Sequence, residues 1–255
     1  MSWDNKVVIV TGGGGGIGRA VACKFAEAGA QVVVVGRTLS KVEDVASAIR
    51  QQGFKAVAMA ADVSSEADVT RVIADTRNAF GRIDVMVNNA AVCPQVRLTD
   101  LSLDQWNSVI TNNLTSIFLF CRGVVPTMLE QGGGVIVNVS SVHALATLDG
   151  YSAYAASKAG IVGLTRAIAL DYAKHNIRAN TVLPGAVQTP MLEASVKNLS
   201  TPRDEIMQQW NQSQPIGRVG QPEEIAAVVL FAASPENSFM TGATLVADGG
   251  MTAEL

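Results

Sequence analysis

Runs of β-branched residues alternate with longer stretches in which apolar positions return every three to four residues, beginning with Val7 to Val10, Ile17 to Ala28, Val32 to Val35 and Lys41 to Gln51. The alternation continues through Ala56 to Ala60, Glu66 to Phe80, Asp84 to Asn88, one long helical segment from Leu103 to Leu129, Val135 to Val139, Ser152 to Lys174 and Ile177 to Leu183, and Thr244 to Ala247 closes it. Strand, helix, strand in this order predicts a seven-stranded parallel sheet. Val32-Val33-Val34-Val35 is apolar on both faces, which a sheet requires only when helices cover both sides. The expected fold class is α/β, a doubly wound sheet between helical layers, in a single domain over residues 1 to 255. No internal repeat, low-complexity tract or linker interrupts the pattern. One irregular stretch, residues 185 to 215, carries Pro190 and Pro202 and is a candidate substrate lid, although a surface excursion has the same composition.

A chain of 255 residues can enclose a sizeable core, and 48% hydrophobic against 16% charged residues leaves more apolar surface than a monomer of this size usually covers. Part of that surface is expected between subunits. The net charge of −3, with Lys and Arg scattered, offers no field to a nucleic-acid backbone. Cys23, Cys93 and Cys121 are widely spaced without a CxxC and read as reduced packing residues. His143 and His175 have no second His or Cys at ligand spacing, so no metal is expected. Met1-Ser2-Trp3-Asp4 leads directly into the first strand, and no apolar run approaches the length of a membrane span. The expectation is a cytoplasmic protein with neither membrane nor nucleic-acid partners.

Thr11-Gly12-Gly13-Gly14-Gly15-Gly16-Ile17-Gly18 lies between the first strand and the first helix. Glycines there allow a tight turn, close approach of a pyrophosphate to the backbone, and close packing of helix on strand. The run satisfies GxGxxG through Gly13, Gly15 and Gly18, and TGxxxGxG through Thr11, Gly12, Gly16 and Gly18, so spacing alone does not choose between them. Either way it predicts a Rossmann-type dinucleotide site. Where such folds place an acidic residue to hold the ribose of NAD, this chain has Gly36 followed by Arg37 and Thr38. A guanidinium fork and a hydroxyl suit a 2′-phosphate, which favours NADP(H) and leaves NAD(H) open.

Tyr154-Ala155-Ala156-Ser157-Lys158 places a phenol and an ammonium four residues apart, on one face of a helix. A neighbouring cation stabilises a phenolate and is expected to draw the tyrosine pKa down toward neutrality. With these residues the chain resembles the short-chain dehydrogenase/reductase family from Lys6 to Gly250. The matching motifs run in order: Thr11 to Gly18; Asp62-Val63; Asn88-Asn89-Ala90-Ala91, where Ala91 departs from the family's glycine; Asn113-Leu114; Ser141, thirteen positions before Tyr154; and Pro184-Gly185-Ala186-Val187-Gln188-Thr189.

The resemblance implies that Tyr154 is the general acid or base on the substrate oxygen and that Ser141 hydrogen-bonds the same oxygen. It further implies that Lys158 lowers the tyrosine pKa and binds the nicotinamide ribose, while Asn113 holds a water linking that lysine to solvent. Gly12, Gly16, Ile17, Gly18, Asp62, Val63, Asn89, Val187 and Thr189 would position the dinucleotide together with Arg37, Thr38, Tyr154 and Lys158. Substrate contacts are expected from His143, from Val96 in the segment after the fourth strand, and from Met191 in the candidate lid. The partner is then a small alcohol or carbonyl compound.

From Ser152 to Lys174 the helix carries only Lys158, Arg166 and Asp171 as charged residues before its last turn. One sheet cannot cover all of its apolar circumference, and family members commonly assemble through this helix, so a homotetramer is expected. Competing readings are a nicotinamide-binding regulator without turnover, an NAD-dependent alcohol dehydrogenase, and a sugar-nucleotide epimerase or dehydratase, whose larger substrate domain residues 185 to 215 are too short to supply.

Overall fold

A computed structural model describes residues 3 to 196 and 202 to 253. The strands are β1 (Val7–Thr11), β2 (Gln31–Gly36), β3 (Lys55–Ala60), β4 (Val85–Asn88), β5 (Gly134–Val139), β6 (Ile177–Pro184) and β7 (Thr244–Ala247). They form one seven-stranded sheet in the order β3-β2-β1-β4-β5-β6-β7, and every pairing is parallel. Helices α1 (Gly16–Glu27), α2 (Leu39–Gln51) and α9 (Pro222–Ala233) cover one face, while α3 (Glu66–Phe80), α5 (Ser116–Glu130) and α6 (Ser152–Tyr172) cover the other. The remaining helices are α4 (Leu103–Ile110), α7 (Pro190–Val196) and α8 (Arg203–Gln212).

The double covering can be read residue by residue. Val8, Val10, Val32 and Val34 belong to the core under α1, α2 and α9, and Val7, Ile9, Val33 and Val35 to the core under α3, α5 and α6. A strand with period-2 side chains stays apolar throughout only if both faces are dry. Chain order reverses at β1, whose neighbours are β2 and β4, so the carboxyl ends of β1 and β4 open the crevice in which ligands of such sheets bind.

Beyond α7 and α8, which form within the stretch expected to be irregular, three elements differ from the sequence expectation. The strand expected from Asp84 starts at Val85, because the Asp84 side chain is used as a staple: it accepts from Val7 N at 2.9 Å, from Lys6 Nζ at 3.0 Å and from Arg82 at 2.6 and 2.7 Å. Burial raises its pKa, but the Arg82 and Lys6 cations and the Val7 amide outweigh this and hold the carboxyl below the usual range. The segment from Leu103 is not one continuous α-helix, since a π-helical turn, Thr111–Thr115, separates α4 from α5. Helix α9 was absent from the expected set although its start is marked: Pro222 at the first turn, with a reciprocal capping box between Gln221 and Glu224.

Contrary to the expectation that no apolar run approaches a span, Leu103–Glu130 is long and apolar enough by length and composition, with mean hydropathy 1.2. Half of that window is buried within the fold, where Phe120, Val124 and Met128 pack among the residues of β1, β4 and β5. It is a core helix here.

Candidate active site

Glycines place the turn after β1. Gly12 and Gly16 take φ of +65° and +50°, and a Cβ on Gly18 would sit 2.2 Å from the Gly12 carbonyl oxygen. Gly15, by contrast, has extended backbone, and a Cβ there would meet Pro190 Cγ at an ordinary 3.8 Å. Gly13 is confined as well, a Cβ there lying 2.6 Å from Val34 Cγ1, so the spacings part at Gly15, which tolerates a side chain, against Gly12 and Gly16, whose positive φ favours glycine and the TGxxxGxG spacing. The turn is stitched to the end of β4: Asn89 Nδ2 donates to Thr11 O at 3.0 Å, and Thr11 Oγ1 accepts from the amides of Asn89 and Ala90 at 3.0 and 3.2 Å. No side chain caps α1, so its first amides face the crevice, with half-buried Ile17 in the first turn. A cradle that a single Cβ would fill, at the amino end of an uncapped helix, fits a dinucleotide pyrophosphate.

At the carboxyl end of β2, Arg37 and Thr38 are both exposed. Asp62 accepts from Ser64 N at 2.9 Å and Ser64 Oγ at 2.6 Å, and these bonds, helped by the Arg37 charge, hold its carboxyl below the usual range. Val63 beside it is buried. On the other side of the crevice Thr189 Oγ1 accepts from Leu192 N at 3.2 Å, and the Thr189 side chain lies 3.1 Å from where a Cβ on Gly16 would stand. Buried Val187 pairs with Gly220 in an isolated parallel bridge. Gln188, Thr189, Pro190, Glu193 and Ala194 line a cleft of about 500 Å³. Met191 is exposed on α7 and does not line that cleft. Of the candidate lid, residues 197 to 201 lie outside the described residues, and the rest includes α7 and α8.

The chemical groups meet where β5 passes into α6. Lys158 Nζ donates to Val139 O at 3.1 Å and Ser140 Oγ donates to Lys158 O at 2.7 Å, so strand and helix are clipped together twice. Lys158 is almost wholly buried, with its ammonium 5.4 Å from the Tyr154 ring centroid. Tyr154 is buried near the start of α6, and Ser141 and Cys93 lie near enough to bear on the ionisation of its hydroxyl. Ser141 Oγ also accepts from His143 N at 3.3 Å. The His143 ring stands edge-on to Tyr154 at 5.3 Å and packs on Tyr151 at 4.9 Å, with Nδ1 2.8 Å from Thr147 Oγ1. His143 thus stands beside the phenol, while the segment from Cys93 to Val96 is tied down by Val96 N donating to Gly150 O at 2.8 Å.

One expectation is corrected here. Burial, reinforced by Cys93, pushes the Tyr154 phenol above its ordinary range, not below it; the bond from Ser141 opposes the shift without reversing it. Lys158 does not bring it down because the ammonium is itself desolvated, which lowers its own pKa to about 8, and is directed to the Val139 carbonyl. The Asn113 carboxamide, in turn, is committed to protein: Oδ1 accepts from Val92 N at 2.8 Å, and Nδ2 donates to Val92 O at 2.9 Å and Ser157 Oγ at 3.1 Å. The π turn aims it inward, where it joins the loop after β4 to α6.

Sequence reasoning missed a buried polar ladder that holds these elements. Asn88 Nδ2 donates to Asn138 Oδ1 at 2.8 Å, Asn138 Nδ2 donates to Thr165 Oγ1 at 2.8 Å, and Thr165 Oγ1 donates to Ile161 O at 2.7 Å. An asparagine in an otherwise apolar strand, as in Val137-Asn138-Val139, was the available signal.

A family model described as enoyl-(acyl carrier protein) reductase matches residues 13–252. An oxidoreductase of Thermotoga maritima is 38% identical over 253 residues, 99% of this chain and 100% of the relative. The 3-oxoacyl-(acyl-carrier-protein) reductase of Chlamydia trachomatis is 39% identical over 248 residues, 97% of each chain. Among solved structures, levodione reductase superposes with a TM-score of 0.95 at 36% identity, covering 99% of this chain and 100% of that one. With the glycine turn, the Ser141, Tyr154 and Lys158 cluster and these matches in agreement, the chain belongs to the short-chain dehydrogenase/reductase family of nicotinamide-dependent oxidoreductases.

Proposed function

We propose that this protein reduces a small carbonyl compound, or oxidises the matching alcohol, with NADP(H). The observation that carries the reading is buried Tyr154 with the Lys158 ammonium 5.4 Å from its ring centroid and tied to the end of β5, where Ser141 bears on its hydroxyl. When bound, the nicotinamide supplies or accepts the hydride. As charge develops on the substrate oxygen, the hydroxyls of Tyr154 and Ser141 stabilise it from fixed positions, and the Tyr154 proton is the one transferred. Lys158 would hold the ribose hydroxyls, and Gly12, Gly16, Ile17, Asn89, Val187 and Thr189 the rest of the dinucleotide. Proton exchange through Asn113 would use its main chain, since both of its side-chain amide hydrogens are committed.

The choice of NADP(H) rests on exposed Arg37 and Thr38 at the end of β2, with no carboxylate there to repel a 2′-phosphate. A guanidinium–phosphate bond contributes about 1.5–3 kcal/mol, so Arg37→Asp is expected to shift the NADP/NAD ratio of kcat/KM toward NAD by about ten- to a hundredfold. Unchanged selectivity would remove Arg37 from this role. The reaction itself is tested by following nicotinamide absorbance with each cofactor over aliphatic, cyclic and polyhydroxy alcohols and ketones, including levodione and a 3-oxoacyl thioester. Cofactor binding with no turnover across the panel would instead favour a regulator.

Assembly as a homotetramer is supported by the outer face of α6, where Ala156, Ala159, Gly163, Ala167 and Leu170 are exposed in a helical stripe, and by fully exposed Phe239. Light scattering at micromolar concentration is expected to give about four times the 26.6 kDa chain mass. A monomer would contradict it.

A further inference from the structure

Two polar side chains, two residues apart on one face of β5 and its extension, reach across to α6. Asn138 Nδ2 donates to Thr165 Oγ1 at 2.8 Å, and Ser140 Oγ donates to the main-chain carbonyl of Lys158 at 2.7 Å. Both bonds are buried and both join the same strand to the same helix. They differ in what lies beside them. The residue before Ser140 supplies the carbonyl that accepts from the Lys158 ammonium at 3.1 Å, and the residue after it is Ser141. Lys158 is therefore gripped at both ends, main chain and Nζ, by two consecutive residues. That segment is itself anchored: Ser140 N donates to Val182 O on β6 at 2.8 Å, and the chain stays extended through Ser141, with φ −169° and ψ 160°.

We propose that Ser140 is a positioning residue: its hydroxyl fixes the main chain of Lys158 against the end of β5, and so fixes where the ammonium stands relative to Ser141 and a bound nicotinamide ribose. The inference rests on the reading of Lys158 as the group that holds that ribose. A lysine carries its charge on a flexible four-carbon stem, and a bond at Nζ alone leaves the root of that stem free to shift with the helix. With the root held as well, the ammonium is confined between two fixed points. One of its hydrogens is engaged by Val139 O, which leaves the others for ribose hydroxyls. Ser140 is 4% exposed and Lys158 2%, so bulk water does not stand in for a deleted hydroxyl.

The test is a double-mutant cycle of Ser140→Ala with Lys158→Met, read in kcat and KM for the best alcohol of the panel and, without turnover, in NADPH affinity by nicotinamide fluorescence. With Lys158 present, Ser140→Ala is expected to lower kcat about tenfold, leave the alcohol KM within about twofold and weaken NADPH binding about three- to tenfold, as a slightly misplaced cation implies. Methionine keeps the main-chain carbonyl but has no ammonium to place. In the Lys158→Met background the same substitution should therefore change kcat and NADPH affinity by less than about twofold. Melting temperature should fall equally in both backgrounds, since the bond to the carbonyl is lost in each. Costs to kcat and affinity that are equal in the two backgrounds would overturn the proposal, because they report only a weakened joint between strand and helix. So would a wild-type value of either quantity in Ser140→Ala.

Thr165→Val cuts the other buried bond between this strand and α6 and serves as the comparison. It is expected to lower the melting temperature while kcat and NADPH affinity stay within about twofold of wild type; losses as large as those of Ser140→Ala would count against a specific role for Ser140. Should alanine fail to fold at position 140, Ser140→Cys, of similar size but with a weak donor, takes its place in the cycle. The cycle also separates the proposal from the reading beneath it. Wild-type turnover and cofactor affinity in Lys158→Met would sink the ribose-holding role of the lysine, whereas an additive cycle sinks Ser140 alone.

Discussion

Tyr154→Phe is expected to lower kcat/KM by about 10³-fold in both directions, roughly 4 kcal/mol of transition-state stabilisation, while cofactor affinity stays within about twofold. The substitution removes one oxygen and leaves a ring held by His143 at 5.3 Å, Tyr151 at 6.3 Å and the Lys158 ammonium at 5.4 Å. Nothing in the fold depends on that oxygen, so the loss reads the proton transfer and not a displaced helix. Residual turnover would come from Ser141, which still stabilises the developing charge. The direction of the phenol's shift adds a pH signature. Because burial keeps Tyr154 protonated across neutral pH, wild-type reduction should be sustained there, and oxidation, which needs the phenolate, should rise with pH. Steady-state kinetics in both directions, with cofactor binding followed by nicotinamide fluorescence, checks each part. A variant that retains a tenth of wild-type activity would remove Tyr154 from the role of acid or base.

The parts of this arrangement legible in the sequence are those fixed by local periodicity or by a required backbone shape. Val7 to Val10 and Val32 to Val35 could be placed in a doubly covered sheet because no other environment accepts an unbroken β-branched run. Gly12, Gly16 and Gly18 could be placed at a phosphate turn because only glycine meets its φ values and close approach. What remained hidden depends on partners distant in the chain. Asn138 sits in an apolar strand, and its value comes from Asn88 and Thr165, which no local pattern connects to it. Asn113 joins Val92 to Ser157 from a π turn that periodicity reads as ordinary helix. The direction of the Tyr154 shift was misjudged for a related reason. Spacing puts a cation near the phenol, but only the fold shows that both are desolvated and that the cation is engaged by Val139.

Lys158→Met should reverse the usual relation between activity and stability. The ammonium is held in the interior with one acceptor, Val139 O at 3.1 Å, and burial pulls its pKa from 10.5 to about 8. A lysine whose folded pKa lies below its unfolded value opposes folding wherever it must be charged. Between those two values the unfolded chain binds more protons, so stability rises with pH through that window, and the penalty is fully present below about pH 8. The size of the shift corresponds to about 3 kcal/mol. Methionine fills similar volume without charge but leaves the Val139 carbonyl without this donor, at a cost of about 1–2 kcal/mol. The net expectation is a gain of about 1–2 kcal/mol at pH 7, a rise in melting temperature of about 3–6 °C, vanishing between about pH 9 and 10 and turning to a loss above it, where only the missing donor to Val139 remains. Turnover should fall by at least about 10²-fold, because the site loses the cation that would hold the ribose. A lysine that weakens the fold in this way is retained for the chemistry. Melting curves at both pH values, with kcat/KM measured on the same preparations, test it; a variant less stable than wild type at pH 7 would mean that the ammonium is solvated and the interior site described here is wrong.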